Sequence, residues 1–231
     1  TEQLASTGES DYVWDEEYDY VSVGAGSALL GALRAAKNGD KVLVVEKGSQ
    51  VGGNSAYASG DVWIGNNGLG VAEGDTREKV LDYITAIQDG SLVEQEVIEA
   101  YVDGMPTMME FFSESCGLTP VARPYGDYYL ERPGSYFAGR TTAFSEDGGE
   151  TTLSGGGLIQ AMLKACEAAG VTVECDSPVV EIVSRKQETG VPEVLGVVVE
   201  DSKGKRKSIK AGKAVMLAAG GFEWNEEMKT T

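Results

Sequence analysis

The chain of 231 residues contains no histidine. This excludes a histidine general base, a His-based catalytic triad and a histidine-ligated metal. Cysteine is scarce: Cys116, Cys166 and Cys175 stand far apart, with no CxxC pair. Three scattered thiols in a chain of this size read as ordinary buried residues, not as a disulfide frame or a metal site. Positive charge is also in short supply, with 19 Lys and Arg against 37 Asp and Glu and a net charge of −18. Such a surface repels nucleic acid and anionic membranes. No apolar run approaches the roughly 18 residues of a membrane-spanning helix. No signal peptide is legible, and the chain opens on Thr1 rather than Met, which is compatible with removal of a leader, a tag or a longer upstream part.

What is present is apolar bulk and glycine. Hydrophobic residues make up 42%, ample for a core, and the length suits one large domain or two small ones. Residues 18–60 organise the rest. An apolar strand, Tyr18 to Val23, runs into the turn Gly24-Ala25-Gly26-Ser27-Ala28. A helix follows, then a second apolar strand, Lys41 to Val45, ending on Glu46. This is a βαβ unit suited to a dinucleotide. Gly24 and Gly26 let backbone approach a pyrophosphate, and the next helix offers free N–H groups and the positive end of its dipole. Glu46 stands 20 residues beyond Gly26, where a carboxylate accepts hydrogen bonds from a ribose. The third glycine of the usual fingerprint is absent, and Leu29 holds its place. Either Ala28 is the small helix-packing residue, in a turn one residue shorter, or Gly31 takes that role one turn later.

Residues 1–17 are polar and acidic and read as a surface arm, with Tyr12 and Trp14 as isolated aromatics. Residues 47–70 are rich in glycine and asparagine, with too little periodicity for a long helix, as expected of backbone near a ligand. A helix is expected from Thr76, with Val80, Tyr83, Ile84 and Ile87 on its buried stripe. A second runs from about Val93 to Ser115, disturbed near Gly104 and Pro106. Its apolar positions include Val97, Ile98, Tyr101, Met105, Met108, Met109 and Phe112, the methionines serving as core filler. Residues 117–154 read as a long irregular stretch containing four tyrosines, and long ordered loops are often functional. Gly155-Gly156-Gly157 opens a helix over Leu158 to Ala169, stopped by Gly170. A short strand follows at Val171 to Glu174. Val179–Ser184, Val194–Glu200 and Lys207–Lys210 then form an antiparallel meander whose basic tip, Lys203 to Lys207, is a solvated hairpin end. Ala214 to Leu217 is a buried parallel-type strand ending in Ala218-Ala219-Gly220-Gly221-Phe222. A purely nicotinamide-binding unit continues with simple βα repeats. A meander before the last parallel strand is instead the layout of flavoproteins with two dinucleotide-binding domains.

Three stretches then carry a specific likeness: EKGSQVGGNSAYASGDVWIGNN, GGGLIQAMLKACEAAGVTVECDSPVVEIV and AVMLAAGGFEWNEEM. With them the chain resembles the FAD-dependent fumarate reductase and 3-ketosteroid dehydrogenase superfamily over residues 18–228. Within it, the chain looks most like 3-ketosteroid Δ1-dehydrogenases, on Asp61-Val62-Trp63-Ile64, Gly126-Asp127-Tyr128-Tyr129, Pro133-Gly134, Gly139-Arg140 and Phe222-Glu223-Trp224-Asn225. The fold class implied is α/β: a Rossmann-like FAD-binding domain with a parallel sheet, a three-stranded antiparallel meander and inserted helices. The expected division is an arm over 1–17 and an FAD-binding domain over 18–231, with a helical insertion and loop at about 71–154.

The resemblance implies FAD as cofactor. Gly24, Gly26 and Ser27 would face the pyrophosphate, and Glu46 would bind the adenosine ribose with Lys47 beside it. Gly53, Asn54 and Ser55, then Ser59, Gly60 and Asp61, would run along the pyrophosphate, ribityl chain and isoalloxazine. Val180 would offer backbone to adenine, and Ala219 and Gly220 would pass near the pyrophosphate. Tyr128 matches the tyrosine that lines the steroid site, and a phenol can take or give a proton. The implied reaction removes hydrogen from adjacent carbons beside a ketone, with Tyr128 taking the proton and flavin N5 the hydride. Its reverse reduces an activated C=C bond. Members of the superfamily are roughly twice as long as this chain, so a substrate domain is expected from the remaining polypeptide or a second subunit. The implied substrate is a ketosteroid, with a fumarate- or urocanate-type unsaturated acid as the alternative. A non-catalytic FAD-binding subunit of a split enzyme is a further reading.

Overall fold

The structure, a computed structural model, describes residues 12–88, 93–149, 151–222 and 225–230. The chain divides into two compact units, Thr1–Tyr57 with Ile159–Thr231, and Ala58–Leu158.

The first unit is built on β1 (Glu16–Val23), α1 (Leu29–Lys37) and β2 (Val42–Val45). α1 forms because Leu29, Ala32 and Leu33 recur at helical spacing and are buried, while Arg34 and Lys37 complement the negative end of its dipole. Asn38 and Gly39 end it, Gly39 at a φ of +92°. β2 is buried along its whole length, as a central parallel strand must be. Further on come α4 (Gly155–Ala168), β6 (Thr172–Glu174), β7 (Val179–Arg185), β8 (Glu193–Glu200) and β9 (Arg206–Leu217). The six strands order as β6-β2-β1-β9-β8-β7. β6, β2, β1 and β9 pair in parallel, and β7, β8 and β9 form the antiparallel meander. Tyr18, Val21, Leu43, Val45, Val197 and Ile209 pack together in one buried cluster of this sheet.

One expectation for this unit is corrected. The third meander strand and the last parallel strand are one continuous strand, β9. Its first half pairs antiparallel with β8, and from Ile209 to Leu217 it runs parallel to β1. The apparent break is a bulge: Tyr18 pairs Ala211 and Tyr20 pairs Ala214, leaving one extra residue in β9 near Gly212 and Lys213. The described part of the expected surface arm, from Tyr12, lies against the sheet. Asp15 donates its N–H to Ser208 O at 3.0 Å, and Tyr12 and Trp14 pack on Val183, Leu195 and Val198. Gly196 makes room for the indole, since a side chain there would start 2.8 Å from Trp14. Residues 1–11 of that arm lie outside the described residues.

The second unit holds α2 (Arg77–Gln88), α3 (Gln95–Cys116) and a sheet of β3 (Val62–Trp63), β5 (Thr141–Ser145) and β4 (Thr119–Ala122) in that order. This antiparallel sheet corrects the reading of 117–154 as irregular throughout. α3 also runs unbroken across Pro106. The lost N–H removes one hydrogen bond, while Val102, Met105, Met109 and Phe112 stay buried on one face. Gly117 closes α3 in the left-handed conformation, φ 68°, its N–H donating to Ser113 O. Val97 and Tyr101, expected among its apolar positions, are exposed. On α2, Val80 and Tyr83 are buried as the stripe requires, and Ile87 is exposed. No helix among the described residues is long and apolar enough to cross a membrane. α5 (Glu226–Thr230) is the last described element.

Candidate functional site

In the first unit a groove of about 320 Å³ opens at the C-terminal ends of the parallel strands. Ligands settle there in open α/β sheets. Five short segments line it: the β1–α1 turn from Gly24 to Ala28, Glu46 and Lys47 at the end of β2, Gly52 to Ser55, Ser177 to Val179 before β7, and Ala218 to Gly221 after β9.

The floor is backbone by necessity. Gly24 has a φ of +105°, and a Cβ there would lie 2.3 Å from Ala218 O. No side chain fits between the β1 turn and the end of β9. α1 has no side-chain cap and no acidic residue in its first turn. Among the described residues the N–H groups of Gly26, Ser27 and Ala28 have no hydrogen-bond partner. Three free donors and the positive end of a helix make an anion seat. Close helix–sheet packing falls at Gly31, whose Cβ would sit 3.2 Å from Met216 Sδ and 3.3 Å from Tyr20 Oη. Of the two residues open to that role, Gly31 fills it.

Glu46 faces the turn. Its Oε2 accepts the Ala25 N–H at 2.9 Å and its Oε1 the Gly48 N–H at 2.8 Å. Among the described residues that line the groove, Lys47 is the single cation and Glu46 the single anion. Cys175 lies nearby in sequence, and burial together with the charges of Glu46 and Asp176 pushes its thiol up. It stays a protonated, unreactive thiol at neutral pH.

The groove thus brings together Gly24, Gly26, Ser27, Glu46, Lys47, Gly53, Asn54, Ser55, Ala219 and Gly220. Val180 does not line it; its neighbours Ser177, Pro178 and Val179 do. These were missed, although a Ser-Pro pair entering a strand at a sheet end is a usable signal. Ser59, Gly60 and Asp61 belong to the second unit. There Asp61 pairs with Arg123 Nε at 3.1 Å, and Gly60, φ +92°, lies against Leu153. Arg123 also donates to Thr152 Oγ1 at 2.6 Å.

Tyr128 stands in the second unit between β4 and β5, 89% exposed. Its ring meets that of Tyr129 edge-on at 4.9 Å. Tyr125, Tyr129, Leu130 and Phe137 are exposed on the same loop. Beneath them is a feature the sequence reading did not assign. Arg140, 1% exposed, donates to Asp127 Oδ2 at 2.7 Å, to both oxygens of Asp75 at 3.0 and 2.6 Å, and to Gly134 O at 2.9 Å. Asp127 also accepts Trp63 Nε1 and the Tyr136 N–H, each at 2.8 Å. Among the described residues no group of His, Cys, Asp and Glu could hold a metal ion.

A family model described as an FAD binding domain matches residues 19–231. The chain belongs to this family. Its cofactor is FAD. A 3-oxosteroid 1-dehydrogenase of Mycobacterium tuberculosis is 30% identical over 285 residues, covering 94% of this chain and 49% of the relative. The crystal structure of 3-ketosteroid Δ1-dehydrogenase from Sterolibacterium denitrificans, in complex with 1,4-androstadiene-3,17-dione, superposes with a TM-score of 0.84 at 24% identity. It covers 94% of this chain and 50% of that one, and at that identity speaks for the fold. The open conformation of a flavocytochrome c3 fumarate reductase gives a TM-score of 0.74 at 26% identity, covering 93% of this chain and 36% of that one. This FAD-binding domain is thus similar to those of 3-ketosteroid dehydrogenase-like flavoenzymes, and it spans about half the length of the relatives it matches. The residues present fit the cofactor: a glycine floor that a Cβ would fill, and free N–H groups for a pyrophosphate.

Proposed function

We propose that this FAD-binding domain serves a flavoenzyme that removes hydrogen from adjacent carbons beside a ring ketone, as a 3-ketosteroid dehydrogenase does. The observation that carries the reading is the likeness to a 3-oxosteroid 1-dehydrogenase, which extends over 94% of the chain. FAD supplies the acceptor for the hydride. The chain's own residues do the rest of what falls to it. Gly24, Gly26, Ser27, Ala219 and Gly220 seat the pyrophosphate, Glu46 holds the ribose beside Lys47, and Gly53, Asn54 and Ser55 continue along the cofactor. Val180, Ser59, Gly60 and Asp61 are further proposed contacts.

Tyr128 is the proposed proton acceptor at the carbon next to the carbonyl. Its exposed phenol, among Tyr125, Tyr129 and Phe137, suits an apolar ring substrate. The 117–154 stretch offers few cations, Arg123, Arg132 and Arg140, and Arg123 is paired with Asp61 and Arg140 with Asp75 and Asp127, which leaves too little for a dicarboxylate. A second reading, reduction of an unsaturated acid, draws on the likeness to the fumarate reductase. A substrate domain from further polypeptide or a second subunit completes the proposed enzyme. A non-catalytic flavin-carrying subunit is the reading to beat.

The test is anaerobic spectroscopy. The chain is expected to take up one FAD and turn yellow. A 3-ketosteroid should bleach that flavin once a polypeptide equivalent to the relatives' second half is supplied. Reoxidation of pre-reduced flavin by an unsaturated acid, without bleaching by ketosteroid, would select the second reading. No flavin chemistry with either substrate would leave the carrier role.

A further inference from the structure

We infer that Glu46 is a positioning residue that holds the glycine turn ready for phosphate before any cofactor arrives, beyond whatever it contributes to a ribose. The inference rests on the proposed seating of the ADP half of FAD in this groove. The Ala25 peptide is pinned on both sides. Its N–H donates to Glu46 Oε2 at 2.9 Å, and its C=O accepts the Gly52 N–H at 2.8 Å. Ala25 is fully buried, so water cannot replace either partner. The two residues that follow it, Gly26 and Ser27, carry the free N–H groups that face the groove, and fixing Ala25 aims them.

The Glu46 backbone is itself anchored on both sides. Its N–H donates to Glu174 O at 2.8 Å and its C=O accepts the Ser177 N–H at 2.9 Å, so its backbone is tied to the residues on either side of β6's end. Its other carboxylate oxygen takes the Gly48 N–H at 2.8 Å. The side chain therefore links the β1–α1 turn to the residues that follow β2, and the Glu46 backbone ties that segment to the end of β6. Only an ionised carboxylate of this reach can do so, because it accepts at both oxygens. Glutamine has a single acceptor oxygen and would set its NH2 group against one of the two N–H donors. Aspartate lacks the methylene needed to span both. Each carboxylate oxygen keeps one lone pair, which leaves room for ribose hydroxyls as well.

The two roles separate with a pair of ligands. ADP and 2′,3′-dideoxy-ADP share the pyrophosphate, and the second lacks the ribose hydroxyls. Calorimetric titration of the full chain, wild type and Glu46→Gln, measures each affinity. A residue that only grips the ribose would leave dideoxy-ADP binding unchanged in the variant. The inference expects dideoxy-ADP to bind about tenfold more weakly, the size of one lost charge-assisted hydrogen bond. Unchanged dideoxy-ADP affinity in a folded variant overturns it. A second measurement needs no variant: the Ala25 amide of the ligand-free wild type should be protected from hydrogen exchange, and rapid exchange also overturns the inference. If the wild type binds neither nucleotide while the Ala25 amide is protected, the groove assignment fails and the latch stands.

Discussion

Arg140 Nη1 lies 2.7 Å from Asp127 Oδ2, with both side chains 1% exposed. Asp75, its side chain fully buried, also pairs with the guanidinium and makes the group a three-charge clamp with one negative charge in excess. That excess is spread over N–H donors: Asn66 N on Asp75, Trp63 Nε1 and Tyr136 N on Asp127, each at 2.8 Å. The clamp fixes both ends of the loop that bears Tyr128, since Asp127 N also donates to Tyr136 O at 2.9 Å. Removing Arg140 leaves two buried carboxylates without a counter-charge, whereas removing Asp127 leaves Arg140 paired with Asp75 but takes the acceptor from Arg140 Nη1, Trp63 Nε1 and the Tyr136 N–H. Arg140→Met is expected to cost about 3–5 kcal/mol, read as a lower urea midpoint, and Asp127→Ala a similar amount. A loss near zero in either would mean that water reaches the site.

Several of the residues quoted for the likeness to 3-ketosteroid Δ1-dehydrogenases, Trp63, Asp127, Gly134 and Arg140, belong to this clamp. Gly134, φ +70°, is there because a Cβ would meet Lys79 O at 2.2 Å, and Asp127 and Arg140 are there to bind each other. The sequence could display these residues, but not that Asp75, distant in the chain, completes the set. The βαβ unit was legible because its signals are local: two apolar strands, a glycine turn and an acid at fixed spacing. β4 and β5 escaped because Thr119–Ala122 and Thr141–Ser145 are short and lie among turn residues. Their pairing is long-range. β9 was divided because Ala211-Gly212-Lys213 resembles a turn and is a bulge.

Gly24→Ala tests the groove floor. The added methyl starts 2.3 Å from Ala218 O at a φ that costs an L-residue about 1–2 kcal/mol. Relief requires the β1–α1 turn to move away from β9, carrying the Gly26 and Ser27 N–H groups with it. FAD affinity should fall at least about tenfold, followed by quenching of flavin fluorescence, with the far-UV circular dichroism retained. Wild-type affinity in the variant would show that the phosphates lie elsewhere.

Asp15 gives a pH-dependent signature for the docked N-terminal segment. The Ser208 N–H, at 2.8 Å, and then the Ser208 hydroxyl, at 2.9 Å, hold its carboxyl below the ordinary range. A carboxylate whose pKa is depressed by folding stabilises the fold above its unfolded value, about 3.9, and loses that contribution as pH falls through the folded value. Wild type should therefore melt above Asp15→Asn at pH 7, with the gap closing below about pH 4. A gap independent of pH would assign the difference to packing rather than to the charge.

Electrostatics sets the last expectation. A net charge of −18 opposes the approach of a dinucleotide whose pyrophosphate is itself anionic. The groove answers with neutral N–H donors and one cation, Lys47, balanced by Glu46. Those donors act at contact, whereas the chain's repulsion extends over a Debye length of about 10 Å at 0.1 M salt and about 30 Å at 0.01 M. FAD association, measured by stopped-flow quenching of flavin fluorescence, should accordingly speed up several-fold as salt rises from about 0.01 to 0.1 M. This is opposite in sign to the behaviour of a basic nucleotide-binding surface. Lys47→Glu should slow association further and steepen the salt dependence. A rate that falls with salt would mean that the field at the turn, from Lys47 and the start of α1, outweighs the charge of the whole chain.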